Sequence, residues 1–153
     1  MSRSRDYNLV LAENIARIRQ LQENQNDQEA LIEAAAVGDL ETGKTLISGG
    51  VDINIAFKID DDDPYYYSAI NLASLHGHTE TVQYLIAQHA VITPTNPLIG
   101  SPLRAASGSG HVQIVSLLLD AGHYINHVNI YSETALFIAA GNGHLNVVKL
   151  LVE

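Results

Sequence analysis

Three of the seven histidines in this chain, His78, His111 and His144, each follow a glycine and stand 33 residues apart. Imidazoles at a fixed spacing are candidate metal ligands or proton carriers, so geometry decides what they can do. A metal needs its ligands within about 2 Å of one point. A period of this length marks a stacked repeat array, whose neighbouring units lie a helix-packing distance apart, about 10 Å. Imidazoles one unit apart cannot converge on one ion. A structural task is left: closing the Gly-His turn and hydrogen bonding the backbone of a neighbouring segment. His123 and His127 stand outside this series and carry no argument of their own.

Two further clusters invite chemistry. Asp60, Asp61, Asp62 and Asp63 form an acidic run, but a calcium loop needs alternating acids, a central glycine and a distal glutamate. The run has none of that arrangement and reads as a solvated, self-repelling loop tip. Ser107-Gly108-Ser109-Gly110-His111 sets hydroxyls beside an imidazole, yet it lacks the Gly-x-Ser-x-Gly order and the preceding strand of a nucleophile elbow. The repeat register explains its glycine and histidine, leaving a small, smooth patch at Gly108 and Ser109. No phosphate loop, zinc pattern or dinucleotide fingerprint occurs, and with no cysteine there is no disulfide, thiolate site or cysteine nucleophile. The sequence therefore predicts no catalytic residue, no cofactor and no metal, and a protein that is not an enzyme.

The elements that must position these residues follow from the same period. The chain has 153 residues, 46% of them hydrophobic and only 6% aromatic, a composition of small aliphatics that suits close helix packing. Leu31-Ile32-Glu33-Ala34-Ala35, Ile70-Asn71-Leu72-Ala73-Ser74, Leu103-Arg104-Ala105-Ala106-Ser107 and Leu136-Phe137-Ile138-Ala139-Ala140 each open a short helix. The runs beginning at Thr81, Ile114 and Val147 are second helices with a nearly continuous apolar side. Glycine separates the two because it reaches backbone angles that other residues avoid. Gly38-Asp39, 39 residues before the first Gly-His, is a weaker copy. Leu11, Ile15 and Ile18 recur at helical spacing, so residues from 7 to about 23 form an amphipathic helix that caps the first unit; a separate partner-binding helix is the lesser reading.

The net charge of -9 argues against binding to nucleic acid or to an anionic membrane. Four of the eight basic residues, Arg3, Arg5, Arg17 and Arg19, lie in the first nineteen positions. No apolar stretch is long enough to cross a bilayer, and Leu9-Val10-Leu11-Ala12 is too short for a signal-peptide core. A cytoplasmic protein is the simplest expectation.

Ser/Thr-Pro-Leu, Ala-Ala, Gly-His, Val-Val-x-Leu-Leu and Gly-x-Asp-Ile-Asn, in that order and at that period, resemble the ankyrin repeat. The stretch from Ser101-Pro102-Leu103 to Asn126 is the best match and the first unit the most degenerate. The resemblance implies an all-α solenoid of stacked helix-turn-helix units with β-hairpin-like finger loops, a curved and pocketless rod. Residues 1–27 would hold the capping helix and 28–153 the repeat domain, with units of about 28–60, 64–96, 97–129 and 130–153. The histidine that usually closes the Thr-Pro-Leu-His tetrapeptide is replaced by Ile32, Asn71, Arg104 and Phe137, so its bonds between neighbouring hairpin turns are lost or rebuilt. The loop from Ile55 to Tyr67 is six residues longer than later ones, and finger-turn glycine is displaced to Gly100 in one loop and replaced by Ser132 in another.

The resemblance further implies a protein-protein interaction module that binds through fingers and concave groove. Pro64 followed by Tyr65, Tyr66 and Tyr67 puts large amphipathic side chains on the long finger. By position the binding residues are Asp62, Asp63, Tyr65 and Tyr66 on that finger, Val37, Leu75, His76, Ser109 and Asn142 in the groove, and Leu98, Ile99, Asn129 and Tyr131 on later fingers. The partner is a protein with a basic patch facing the acidic finger. Self-association is a further expectation, because nothing in the sequence covers Val148 and Leu151 at the end of the last unit. The alternative is a targeting or regulatory arm of a larger enzyme or host-directed bacterial effector. Its catalytic part would then lie beyond Glu153, and its location would be a host cytosol.

Overall fold

A computed structural model describes residues 7–22 and 27–153, with side chains over 10–17 and from 27 onward. Arg3 and Arg5 lie outside the described residues, as do the side chains of Ile18 and Arg19. Helix α1 (Tyr7–Gln22) precedes four helix pairs: α2 (Asp27–Val37) with α3 (Leu40–Ser48), α4 (Ala69–His76) with α5 (Thr79–Ala87), α6 (Pro102–Ser109) with α7 (Val112–Asp120), and α8 (Ala135–Gly141) with α9 (Leu145–Val152). The first helices α2, α4, α6 and α8 pack in a row, each against the next, and α1 packs on α2. This is the all-α repeat solenoid that the resemblance implies.

Small residues let that row close. Ala34, Ala73, Ala106 and Ala139 occupy equivalent positions in the four units, and all are buried. Between them sit Leu31, Ile70 and Leu103, while Val82, Val115 and Val147 bring the second helices onto the same core. The core is thus a continuous apolar seam, in which each unit covers one face of its neighbour.

Each turn between paired helices repeats one construction. Gly38, Gly77, Gly110 and Gly143 have φ between 75° and 79°, the left-handed region that costs a residue with a Cβ about 1–2 kcal/mol. The amide after each glycine then bonds the carbonyl five residues back, as in His78 N to Ala73 O at 2.9 Å and His111 N to Ala106 O at 2.9 Å. The imidazole that follows reaches into the preceding unit. His78 Nε2 donates to Ala36 O at 2.9 Å, His111 Nε2 to Leu75 O at 3.0 Å and His144 Nε2 to Gly108 O at 2.8 Å. The ring lies against the preceding unit's glycine, where a Cβ on Gly77 would stand 2.7 Å from His111 and one on Gly38 would stand 2.6 Å from His78. At Asp39, the first copy, the carboxylate accepts from the Thr42 hydroxyl at 2.6 Å and caps its own helix by accepting from Thr42 N at 3.1 Å, and these bonds hold it below the usual carboxylate range.

Of the bonds expected to be lost or rebuilt at the tetrapeptide, those at Asn71 and Arg104 are rebuilt, whereas Ile32 and Phe137 have no side-chain donor or acceptor to rebuild theirs. Asn71 takes the Ser68 amide at 2.9 Å and donates to the carbonyl of Gly100 in the next unit's loop. Arg104 reaches Glu133 in the following loop at 3.2 Å. The loops are stitched a second way: buried His123 lies between Ser101 Oγ at 3.1 Å and Tyr124 O at 3.0 Å, and His127 Nε2 donates to Pro94 O at 3.2 Å. The His123 and His127 rings meet edge to face, 5.8 Å apart.

The long loop forms the hairpin of β1 (Ala56–Lys58) and β2 (Tyr66–Ser68), with Phe57 opposite Tyr67. Tyr66 also pairs with the next finger through its backbone: its N–H donates to Leu98 O at 2.7 Å, and its carbonyl accepts from Gly100 N at 2.9 Å.

Gly77→Ala should lower stability about twice as much as Gly143→Ala. Both incur the left-handed penalty, but only the first displaces an imidazole, since nothing stands within 4 Å of a Cβ on Gly143; urea unfolding of the two variants measures the difference. Ser132, at φ 61°, holds a conformation that glycine adopts without strain, so Ser132→Gly should raise stability by about 1 kcal/mol in the same assay. Burial pushes His123 down to about 4, against about 6.5 in an unfolded chain. The unfolded state therefore binds the extra proton between those values. This contribution, on the order of 3 kcal/mol, is whole above pH 6.5 and is lost as pH falls toward 4. Thermal unfolding of His123→Gln should show a shallower loss across that window.

Candidate protein-binding surface

The long loop folds onto the molecule instead of standing away from it. Asp63 is buried, and its carboxylate accepts from Tyr65 N at 2.9 Å and from the Tyr67 hydroxyl at 2.6 Å. Asp60 Oδ1 accepts from Asp62 N at 3.0 Å, and Lys58 Nζ donates to Asp61 O at 3.0 Å. The acidic run is thus a set of carboxylates and carbonyls turned on the loop's own backbone, with the Asp61 and Asp62 side chains exposed. Ile59 anchors the loop in the apolar core.

Of the tyrosines, Tyr66 is exposed, its backbone holding the two fingers together. Tyr65 is half-buried. Its hydroxyl lies against the Asn129 side chain and the Ile130 backbone, near Arg104, but makes no hydrogen bond of good geometry. Burial raises the Tyr65 phenol above its ordinary value, with Arg104 opposing. A residue placed by sequence on a free finger therefore spans from the second unit to the fourth.

The later fingers divide in the same way. Leu98 is exposed, and Tyr131 is 64% exposed. Ile99 is half-buried beside Tyr66. Asn129 is buried and builds its turn, accepting from Tyr131 N at 3.0 Å and Glu133 N at 2.9 Å while donating to Glu133 Oε2 at 2.8 Å.

In the groove, Leu75, Ser109 and Asn142 share one cleft, of about 660 Å³. The inserted loop, through Ile59 to Tyr65, lines one side of this concave face, which stays open to solvent. Asn142 also donates to Gly108 O at 2.8 Å, the carbonyl that His144 uses. Val37 and His76 lie apart from this cleft. Val37 is exposed at the end of α2. His76 packs 6.3 Å from His78, and burial, then the nearby His78 and His111, holds it below the ordinary histidine value.

Sequence reasoning passed over Arg104 and Ile138 as cleft residues, while Gly108, read there as part of a small patch with Ser109, does line the cleft. Arg104 carried a signal, a cation where the family pattern has histidine. Gly108 is small because its Cβ would stand 3.1 Å from Ile138 of the next unit. Among the described residues no group of histidines and carboxylates could hold a metal, and no helix is long and apolar enough to cross a membrane.

No curated protein matches the chain. A family model described as ankyrin repeats, in three copies, matches residues 71–153, the span that holds all three Gly-His turns. Ankyrin repeats are in general protein-protein interaction modules. With that match and the stacked helix pairs, the chain belongs to the ankyrin-repeat family.

Proposed function

We propose that this chain binds a protein partner through its finger loops and concave groove. The observation that carries the reading is the row of large side chains left exposed on successive fingers: Tyr66, Leu98, Ile130 and Tyr131. A monomer rarely exposes such groups side by side without using them. Tyrosine adds contact area and a hydroxyl at small entropy cost. A basic surface on the partner fits the exposed Asp61 and Asp62 and the net charge of -9, which speeds encounter more than it tightens the complex. Residues 28–153 are read as the repeat domain and α1 as its cap, since α1 packs on α2 and buries Leu11 in the shared core.

A second contact is supported by the far end of the stack. Phe137, Leu145 and Val152 are each more than 60% exposed there, a patch on which two copies could meet. Sedimentation of the chain at rising concentration, beside Leu145→Glu, tests this: a dimer abolished by the variant supports it, and a monomer throughout excludes it.

For the finger reading, the triple variant Tyr66→Ala, Leu98→Ala, Tyr131→Ala should lose at least tenfold in affinity for a protein captured by the wild type. Its melting temperature should stay close to the wild-type value. Equal affinity in wild type and variant would contradict the finger reading.

A further inference from the structure

The face of α8 and α9 at the end of the stack exposes what the joints inside the stack bury, and what it exposes defines a pairing; this inference rests on the second contact named above. Residue by residue, α8 matches positions that the next unit covers elsewhere. Ile32 and Asn71 are 0% and 1% exposed, but Phe137 at the same place is 61% exposed. Leu31, Ile70 and Leu103 are buried where Leu136 is exposed, and Ala35, Ser74 and Ser107 are buried where Ala140 is exposed. On the second helices Val82 and Val115 are buried, whereas Val148 is half-buried.

Each joint inside the stack also contains a seat for a ring. The left-handed glycines Gly38, Gly77 and Gly110 lie under the imidazole of the following unit, which fills the space of the absent Cβ. Gly143 has a like φ of 75°, yet nothing stands within 4 Å of where its Cβ would be, and Gly141 is equally open. The last unit therefore carries an aromatic ring without a seat and a seat without a ring on one face. A two-fold pair needs both halves of a contact on the same patch, since each copy then gives to the other what it receives. A two-fold axis lying in this face and crossing the helices sets α8 antiparallel to α8 of the second copy. With the axis at Ala140, Phe137 lies about 4.5 Å along the helix from it, three residues away. It then meets Gly143 of the other copy, three residues to the other side. Ala140 and Gly141 share the helix face of Phe137, and their small size lets the two backbones approach. The same rotation lays α9 on α9 and covers Leu145 and Val148.

Charge distinguishes this face from the rest of the molecule. All seventeen acidic residues lie outside 135–152, and Lys149 is the one charged side chain within that span. Its counterpart Gln83 stays exposed inside the stack, so that position lies off the joining face. A basic partner finds its complement elsewhere on the chain, while an uncharged apolar patch suits a copy of itself. Two chains of net charge -9 repel each other at a distance, so their association tightens as salt screens them.

We propose that two copies of this chain pair end to end through α8 and α9, with each Phe137 ring seated on Gly143 of the other copy. Analytical ultracentrifugation of the full chain at rising concentration, in low and in high salt, reads the equilibrium. A dimer that tightens in high salt is expected. Phe137→Ala should weaken it about tenfold or more, with the melting temperature of the dilute chain unchanged, because the ring is exposed in the single copy. Phe137→His should keep the dimer, since an imidazole fills this seat at three joints. Gly143→Ala, which puts a methyl in the seat, should weaken it as far as Phe137→Ala does; circular dichroism checks that it folds, and the two Phe137 variants decide alone if it does not. A monomer at every concentration would overturn the pairing together with the second contact. A dimer lost in Leu145→Glu yet indifferent to Phe137→Ala, or one that loosens in high salt, would overturn the pairing and leave the contact standing.

Discussion

One contact sets the spacing of this molecule: the imidazole of a Gly-His turn donating to the last carbonyls of the preceding first helix. The glycine and the histidine are one device split between two units. The glycine is needed twice, for its left-handed φ and because the next unit's ring occupies the space its Cβ would fill, 2.6–2.7 Å away at Gly38, Gly77 and Gly110. The histidine in turn needs that bare backbone to reach its carbonyl. Each such bond is worth only about 1 kcal/mol net. Their effect lies in register, since each fixes how far one helix pair sits from the next while the alanines behind it permit close approach.

The same register explains what became of the tetrapeptide. Replacing its histidine removes a bond that every unit would otherwise share. The chain answers with a different bond at two of the joints, amide to carbonyl at Asn71 and ion pair at Arg104. Arg104 then faces the cleft, drawn there by Glu133 of the next loop. The inserted loop acts on that same side. Its acidic residues brace the backbone through Asp60 and Asp63, which seats Tyr65 over the third unit and lines one side of the open concave face. A departure in sequence thus becomes a boundary in space.

The repeat frame was legible because its signals are local and recur. Glycine at a turn, small residues on one helix face and an apolar second helix each follow from backbone sterics and packing. The position of the Gly-His imidazoles was legible for the same reason. The cleft was not. Whether Tyr65 points outward or across depends on how thirteen loop residues fold, and that turns on bonds between Asp63, Tyr67 and the loop amides that no spacing reveals. Asn129 misled in a similar way: asparagine at a finger reads as a contact residue, yet here both ends of its amide build the turn. His123 and His127 looked isolated because they bond to residues more than twenty positions away, Ser101 and Pro94.

The histidine contacts make a direct demand on proton placement. A carbonyl only accepts, so His78, His111 and His144 must each carry a proton on Nε2, whereas His123, facing the Tyr124 carbonyl through Nδ1, must carry it there. Long-range proton–nitrogen correlation spectra of the imidazole rings at pH 7.5 read this placement residue by residue. The account predicts the Nε2–H form for the first three and the Nδ1–H form for His123. Imidazoles at 78, 111 and 144 in the Nδ1–H form, or averaging freely between forms as solvated rings do, would contradict it.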